Sequence, residues 1–318
     1  MKKLLALLLT LCLTLPVAAL ADEAPVNVYT LMGPTGIGMV RIMNDNDGTY
    51  QFNLVSAPDE VVAAMASGHA DIAAVPTNLA ATLYQKLNGG VQIVALNTLG
   101  VLHILDKTGE INEIGDLAGR TLYASGQGAI PEYVLNYILA ANGLTDSVTV
   151  EYKAEHAELA TLAAEGMVDV CMLPEPNVTA VLMQNSDFRI ALDVTALYDE
   201  ANAAAGNEGA TMSMGCVIVR REWAEQNADK LAAFLTAYEE SVGFVNTEIE
   251  EAAEMVQAQG IMPKAAVAAK AIPNCHIVFI TGETMKTMIE PFFGVLFDAN
   301  PSSVGGALPA EDFYYMAQ

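Results

Sequence analysis

Basic residues are scarce: 14 Lys and Arg stand against 38 Asp and Glu in 318 residues, a formal net charge of −24. A field of that sign repels polyphosphate backbones and anionic lipid, which excludes nucleic acid and acidic membrane surfaces as partners. It does not in turn predict a cationic ligand, because charges spread over helix surfaces are mostly solvated. Cysteine is nearly as sparse, with four residues. Cys12 sits in an N-terminal apolar run, and Cys171, Cys216 and Cys275 each lie in an apolar stretch. Three thiols at no framework spacing exclude a disulfide scaffold and predict buried free cysteines. The histidines are His69, His103, His156 and His276, with no i,i+4 pair and no neighbouring ligand pattern, so no metal site is expected. His156 reads as a helix-start residue, with contact to a ligand as the alternative. No G-x-S-x-G elbow occurs and Ser125 has no base beside it in sequence, so neither a catalytic residue nor a cofactor is expected.

Long hydrophobic runs are also missing, except at the start. Lys2-Lys3, the apolar stretch Leu4 to Leu15, the breaker Pro16 and Ala19-Leu20-Ala21 before Asp22 form a secretory signal peptide, expected to be cleaved after Ala21. Its apolar core is shorter than the ~20 residues a membrane span needs. Removing Lys2 and Lys3 leaves 12 basic residues against 38 acidic, a net −26 for the exported chain.

What the chain does have is a recurring strand, turn and helix. Thr121 to Ala124 reads as a strand, Ser125-Gly126-Gln127-Gly128 as a glycine-lined turn, and Pro131 to Ala141 as a helix stopped by Asn142-Gly143. A helix that opens from such a turn aims N–H groups and the positive end of its dipole at one point, where an anion would bind. An ordinary αβ turn, with the glycines serving only packing, fits the same residues. The theme recurs at Val26 to Leu31 with Gly33 to Gly38, at Asp71 to Val75 with Pro76-Thr77-Asn78, and at Asp169 to Leu173 with Pro174 to Asn177. Alternation at this spacing predicts an α/β fold with mainly parallel sheets flanked by helices.

The two halves also align with each other. PDEVVAAMASGHADIAAVP from Pro58 and HAELATLAAEGMVDVCMLP from His156 superpose at an offset of 98, pairing Glu60 with Glu158, Gly68 with Gly166, Asp71 with Asp169 and Pro76 with Pro174. Duplicated lobes follow: residues 22–100 with 214–318 as a discontinuous lobe one, and 101–213 as lobe two. Gly100 and Met214 mark the expected crossovers. A ligand cleft is expected between the lobes, outside the carboxyl ends of the strands. Its expected ligand-binding residues are Pro34, Thr35, Gly36, Thr77, Asn78, Ser125, Gly126, Gln127 and Glu175, with Gly100 and Met214 at the crossovers. Glu175, held between Pro174 and Pro176, is either a cleft carboxylate for an amine, hydroxyl or protonated ring nitrogen, or a cap on its own helix.

The segments VNVYTLMGPTGIGMVRIM, GHADIAAVPTNLA, LYASGQGAIPEYVLNYIL and GMVDVCMLPEPNVTAVL, behind the export signal, resemble the extracytoplasmic substrate-binding proteins of ABC importers. The nearest branch by resemblance is the sulfonate, nitrate and thiamine-precursor group, whose D-x-x-x-x-E-P signature is matched by Asp169 to Pro176 with one extra spacer residue. The resemblance implies a two-lobed type II periplasmic-binding fold that closes on one small organic ligand, anionic or zwitterionic, and delivers it to an ABC permease with its ATPase. It implies a monomer without enzymatic activity. Related pyrimidine synthases carry a cysteine-rich run that this chain lacks. An enzyme on the same fold, dehydratase-like, and a sensory ligand-binding protein are the alternatives.

Overall fold

The structure is a computed structural model that describes residues 24–316; the expected signal peptide, its cleavage site and Cys12 lie outside them. In chain order the elements begin with β1 (Val26–Leu31), α1 (Pro34–Ile37), α2 (Val40–Asn44), β2 (Tyr50–Val55), α3 (Pro58–Ser67), β3 (Ile72–Pro76), α4 (Thr77–Lys86) and β4 (Val91–Leu99). There follow β5 (Leu102–Asp106), β6 (Thr121–Ser125), α5 (Ile130–Ala141), β7 (Thr149–Lys153), α6 (His156–Ala164), β8 (Val170–Pro174), α7 (Asn177–Gln184), β9 (Arg189–Asp193) and α8 (Val194–Ala204). The chain closes with β10 (Ser213–Arg220), α9 (Arg221–Gln226), α10 (Ala228–Thr247), α11 (Ile249–Ala258), α12 (Ala265–Ala271), β11 (Ile277–Ile280) and α13 (Gly282–Ala299).

Two sheets result, ordered β11-β4-β10-β3-β1-β2 and β7-β6-β8-β5-β9. Each contains a parallel three-strand block, β2-β1-β3 or β7-β6-β8, to which the remaining strands add antiparallel. The expectation of mainly parallel sheets is therefore corrected to mixed ones. The reason is connectivity: β5 and β10 are the strands by which the chain enters one sheet from the other, and they run against the block they join.

The aligned segments occupy matching places. β3 and β8 each have a parallel neighbour on one side and an antiparallel one on the other, and each feeds a helix at once. Strand β8 is buried along its whole length and β3 up to Pro76, which is why both read as continuous apolar runs instead of alternating ones. Even their flanking acids match: Asp71 pairs with Arg220 at 3.0 Å and Asp169 with Lys107 at 2.9 Å, each cation standing at the end of the antiparallel strand next door or just past it.

Helix α13 ties the two sheets together. It packs on β4 of the first sheet and on α5 of the second. Its Phe292 is fully buried and meets Tyr198 of α8 edge to face at 5.7 Å, while Phe293 meets Phe313 at 6.0 Å. Cys171, Cys216 and Cys275 are free and buried, as their apolar surroundings require, and burial pushes the Cys171 thiol up to about 12. Among the described residues no helix is long and apolar enough to cross a membrane.

Candidate functional site

A cleft of about 600 Å³ lies where the carboxyl ends of both parallel blocks meet. Gly33, Pro34 and Thr35 line it after β1, Pro76 and Asn78 after β3, Gly126 after β6, and Pro174 to Asn177 after β8. All four strand-to-helix turns singled out in the sequence thus come together, because corresponding strands of two similar units face each other. Met32, Pro58, Leu79, Thr98, Val101, Ala129, Ile130, Pro131, His156 and Met214 complete the wall. Most of it is proline, methionine and aliphatic surface, with a few polar groups between.

Of the expected site residues, Pro34, Thr35, Asn78, Gly126, Glu175 and Met214 line the cleft. The other five do not. Gly36 is buried in α1, where a Cβ would stand 2.6 Å from the Leu31 carbonyl oxygen. Thr77 is buried, with its hydroxyl 3.3 Å from that of Ser213. Ser125 is 1% exposed, Gln127 points to solvent, and Gly100 is packed inside the crossover against Thr195 and Met212.

The glycine turn after β6 is organised differently from the open anion nest that the sequence suggests. Gly126 and Gly128 both have the left-handed backbone that glycine favours, with φ of 82° and 76°. A Cβ on Gly126 would fall 2.8 Å from Pro131 Cγ, so glycine lets the turn press onto the start of α5. The Gly128 N–H is taken by Glu132 Oε2 at 2.6 Å, and the Gly128 carbonyl by the Tyr133 hydroxyl at 2.9 Å. The first turn of the helix satisfies part of its own loop.

Sequence distance hid the partner of Ser125. Its hydroxyl lies 2.7 Å from Nδ1 of His156, 31 residues on, at the start of α6. The expectation that Ser125 has no base partner is corrected, since β6 and α6 are neighbours only in the fold. Ser125 is buried and does not line the cleft, whereas His156 does. Burial holds the His156 imidazole below its ordinary range, against the opposing pull of Glu155.

Glu175 lines the cleft yet is only 2% exposed, and its carboxylate is already occupied. Oε2 accepts from the Thr179 N–H at 3.1 Å, and Oε1 accepts from the Thr179 hydroxyl at 3.0 Å and from Asn274 Nδ2 at 3.2 Å. Two of these bonds cap α7. The third reaches a 3-10 turn, Ile272–Asn274, that leads into β11 of the first sheet, so the carboxylate also ties the sheets together. We expect Glu175→Ala to cost about 1–3 kcal/mol, the penalty for leaving those donors buried without an acceptor. A urea unfolding midpoint checks this; unchanged stability with lost ligand affinity would return Glu175 to the ligand.

Burial raises the Glu175 carboxyl above its usual range, and the hydrogen bonds from Thr179 and Asn274 only partly offset that. In the folded state it therefore holds its proton to higher pH than in the unfolded chain. Stability contributed by this group is full below the unfolded value of 4.5 and is lost as pH rises toward the folded one. The difference in melting temperature between wild type and Glu175→Ala should shrink as pH is raised through that window.

The crossover is held by groups that sequence reading passed over. His276 has a φ of 44° and its Nδ1 lies 2.5 Å from the Gly100 carbonyl oxygen, while its own carbonyl accepts from the Leu99 N–H at 3.1 Å. The Val101 carbonyl accepts from the Glu175 N–H at 2.9 Å. No local signal marks these residues, because each acts on a chain segment far away in sequence. Among the described residues no cluster of His, Cys, Asp or Glu could hold a metal ion.

Several solved structures share this architecture. An ABC transporter from Parabacteroides distasonis is similar over 93% of this chain and 100% of its own, with a TM-score of 0.79 and 23% identity. The periplasmic aliphatic sulphonate binding protein SsuA from Escherichia coli covers 92% and 96%, with a TM-score of 0.68 and 16% identity. The alkanesulfonate-binding protein SsuA from Xanthomonas axonopodis pv. citri, bound to MOPS, covers 91% and 96%, with a TM-score of 0.61 and 15% identity. At these identities the likeness is one of fold, and the fold is the two-lobed type II periplasmic-binding architecture. No curated protein sequence matches the chain. Residues 51–252, more than half of the chain and including both aligned segments, match the NMT1/THI5-like family, and the chain belongs to it.

Proposed function

We propose that the chain is an extracytoplasmic solute-binding protein of an ABC importer, which captures a small organic ligand between two closing lobes and hands it to a membrane permease. The convergence of four strand-to-helix turns from both sheets on one cleft carries this reading. The volume and mixed lining suit a single small molecule: apolar walls take up its body while a few polar groups fix its orientation. Residues 22–100 with 214–318 form lobe one in this proposal and residues 101–213 lobe two. The ligand contacts are Pro34, Thr35, Asn78, Gly126, Met214 and His156. The working protein is an exported monomer cleaved after Ala21, without catalysis.

A thermal-shift screen of residues 22–318 against sulfonates, carboxylates, amino acids, nucleobases and vitamin precursors tests it. A ligand at 100 times its dissociation constant adds ~2.7 kcal/mol, a readily visible shift. We expect a saturable shift with one chemical class and the same compound recovered unchanged by mass spectrometry. Consumption of the compound would replace this reading with an enzyme on the same fold.

A further inference from the structure

Five helices of eight residues or more, α3, α4, α5, α6 and α7, begin at or one residue beyond a cleft-lining position. Each presents the positive end of its dipole, equivalent to roughly half a unit charge. Among the described residues no Lys or Arg lines the cleft, and the one lining carboxylate, Glu175, is spent on Thr179 and Asn274. Among the lining side chains, His156 alone can gain a positive charge.

Its surroundings permit that change. Ser125 holds Nδ1 at 2.7 Å, and a hydroxyl can either donate to a neutral ring or accept from a charged one, so the ring keeps its partner in both states. Among the described residues Nε2 has no hydrogen-bond partner. A second unspent group lies in the same wall: Thr98 is 1% exposed, lines the cleft, and its hydroxyl oxygen has no partner.

The charged and titratable groups around the ring are few. Glu155 stands at the N-cap of its own helix and Glu158 within it, Glu151 and Lys153 belong to β7, Tyr123 to β6 and Cys171 to β8. Helix α7 carries no charged residue, and Glu175 precedes it. On the far wall Asp59 and Glu60 follow Pro58, both exposed to solvent.

We propose that His156 is the residue that selects anionic ligands in this cleft, taking up one proton from solvent as the anion binds. This rests on the binding role proposed above. The uncharged imidazole of the empty cleft becomes imidazolium beside the anion, Nε2–H donates to it, and Ser125 turns to accept from Nδ1–H. The Thr98 hydroxyl supplies a neutral donor. A ligand of the same shape without charge gives the ring no reason to protonate.

Calorimetry on residues 22–318 with benzenesulfonate and its uncharged counterpart benzenesulfonamide tests the assignment. In buffers of different ionisation enthalpy, the benzenesulfonate heat should change with the buffer, reporting uptake of up to one proton. Its affinity should fall up to tenfold per pH unit as pH rises from the pKa of the free imidazole to that of the bound one, and level off above it. His156→Gln should abolish the uptake, flatten the pH profile and weaken benzenesulfonate about tenfold, as loss of a charge-assisted bond would. Absence of proton uptake in the wild type overturns the proposal without recourse to any variant. So do uptake that persists in His156→Gln, sulfonamide binding as tight as sulfonate, and failure of both probes when another compound of the screen binds. Failure of every compound in that screen instead removes the binding role itself.

Discussion

Replacing Gly100 with alanine is expected to destabilise the protein by about 3 kcal/mol or more, beyond the ordinary cost of an added methyl in a packed interior. The new Cβ would sit 1.8 Å from Thr195 Oγ1, 2.5 Å from Met212 Cε and 2.9 Å from Thr195 Cβ. A methionine end can swing away, but a Thr Cβ is fixed to its backbone, so α8 or the crossover must move. Neither moves cheaply: the Gly100 carbonyl is held by His276, and both neighbouring residues of the crossover are bonded through their backbones. Close packing turns such a clash into strain because there is no void to absorb it. Chemical denaturation of Gly100→Ala gives the number. The double variant Gly100→Ala, Thr195→Ala should recover part of the loss, since it removes the nearest clashing atom; additive effects of the two changes would contradict a direct clash.

The second large effect is expected from Phe292→Ala, at about 3–5 kcal/mol. Phe292 is fully buried in α13 against Tyr198, and deleting it removes an aromatic pair and leaves a cavity. Because α13 packs on β4 of the first sheet and on α5 beside the second, the loss falls on the contact between the two halves. A single unfolding transition should move to lower denaturant with little change in slope. Separation into two transitions would show that the halves unfold independently once α13 is weakened. By contrast Phe297, near the end of the same helix and only partly buried, should cost less on truncation.

How much of this could be read in advance varies from element to element. The paired strands and helices at Pro58 to Pro76 and His156 to Pro174 were legible, since continuous apolar strands and capped helices are written in local sequence. Strands β9 and β11 and helix α12 were not anticipated: RIALD and IVFI are short, and AAVAAKA is too uniform to show a face. The mixed sheet direction was also hidden, because a strand's sequence does not say which way its neighbour runs.

For the site, the sequence placed the four turns, since glycine and proline at a strand-to-helix junction carry their own conformational meaning. Which side chains of those turns face the cleft was decided only when the sheets met. Gln127 turned to solvent, Thr77 and Ser125 turned into the core, and His156 came into the wall. Glu175 shows the division most plainly. Two prolines fix its backbone from sequence alone, but only the arrival of Asn274 from 99 residues away completes its set of donors. Charge, the internal repeat and the turn positions are local or summed properties, and the sequence by itself determined them. Strand direction, the Ser125–His156 pair, the packing at Gly100 and the α13 bridge depend on contacts between distant segments, and those only the tertiary structure decided.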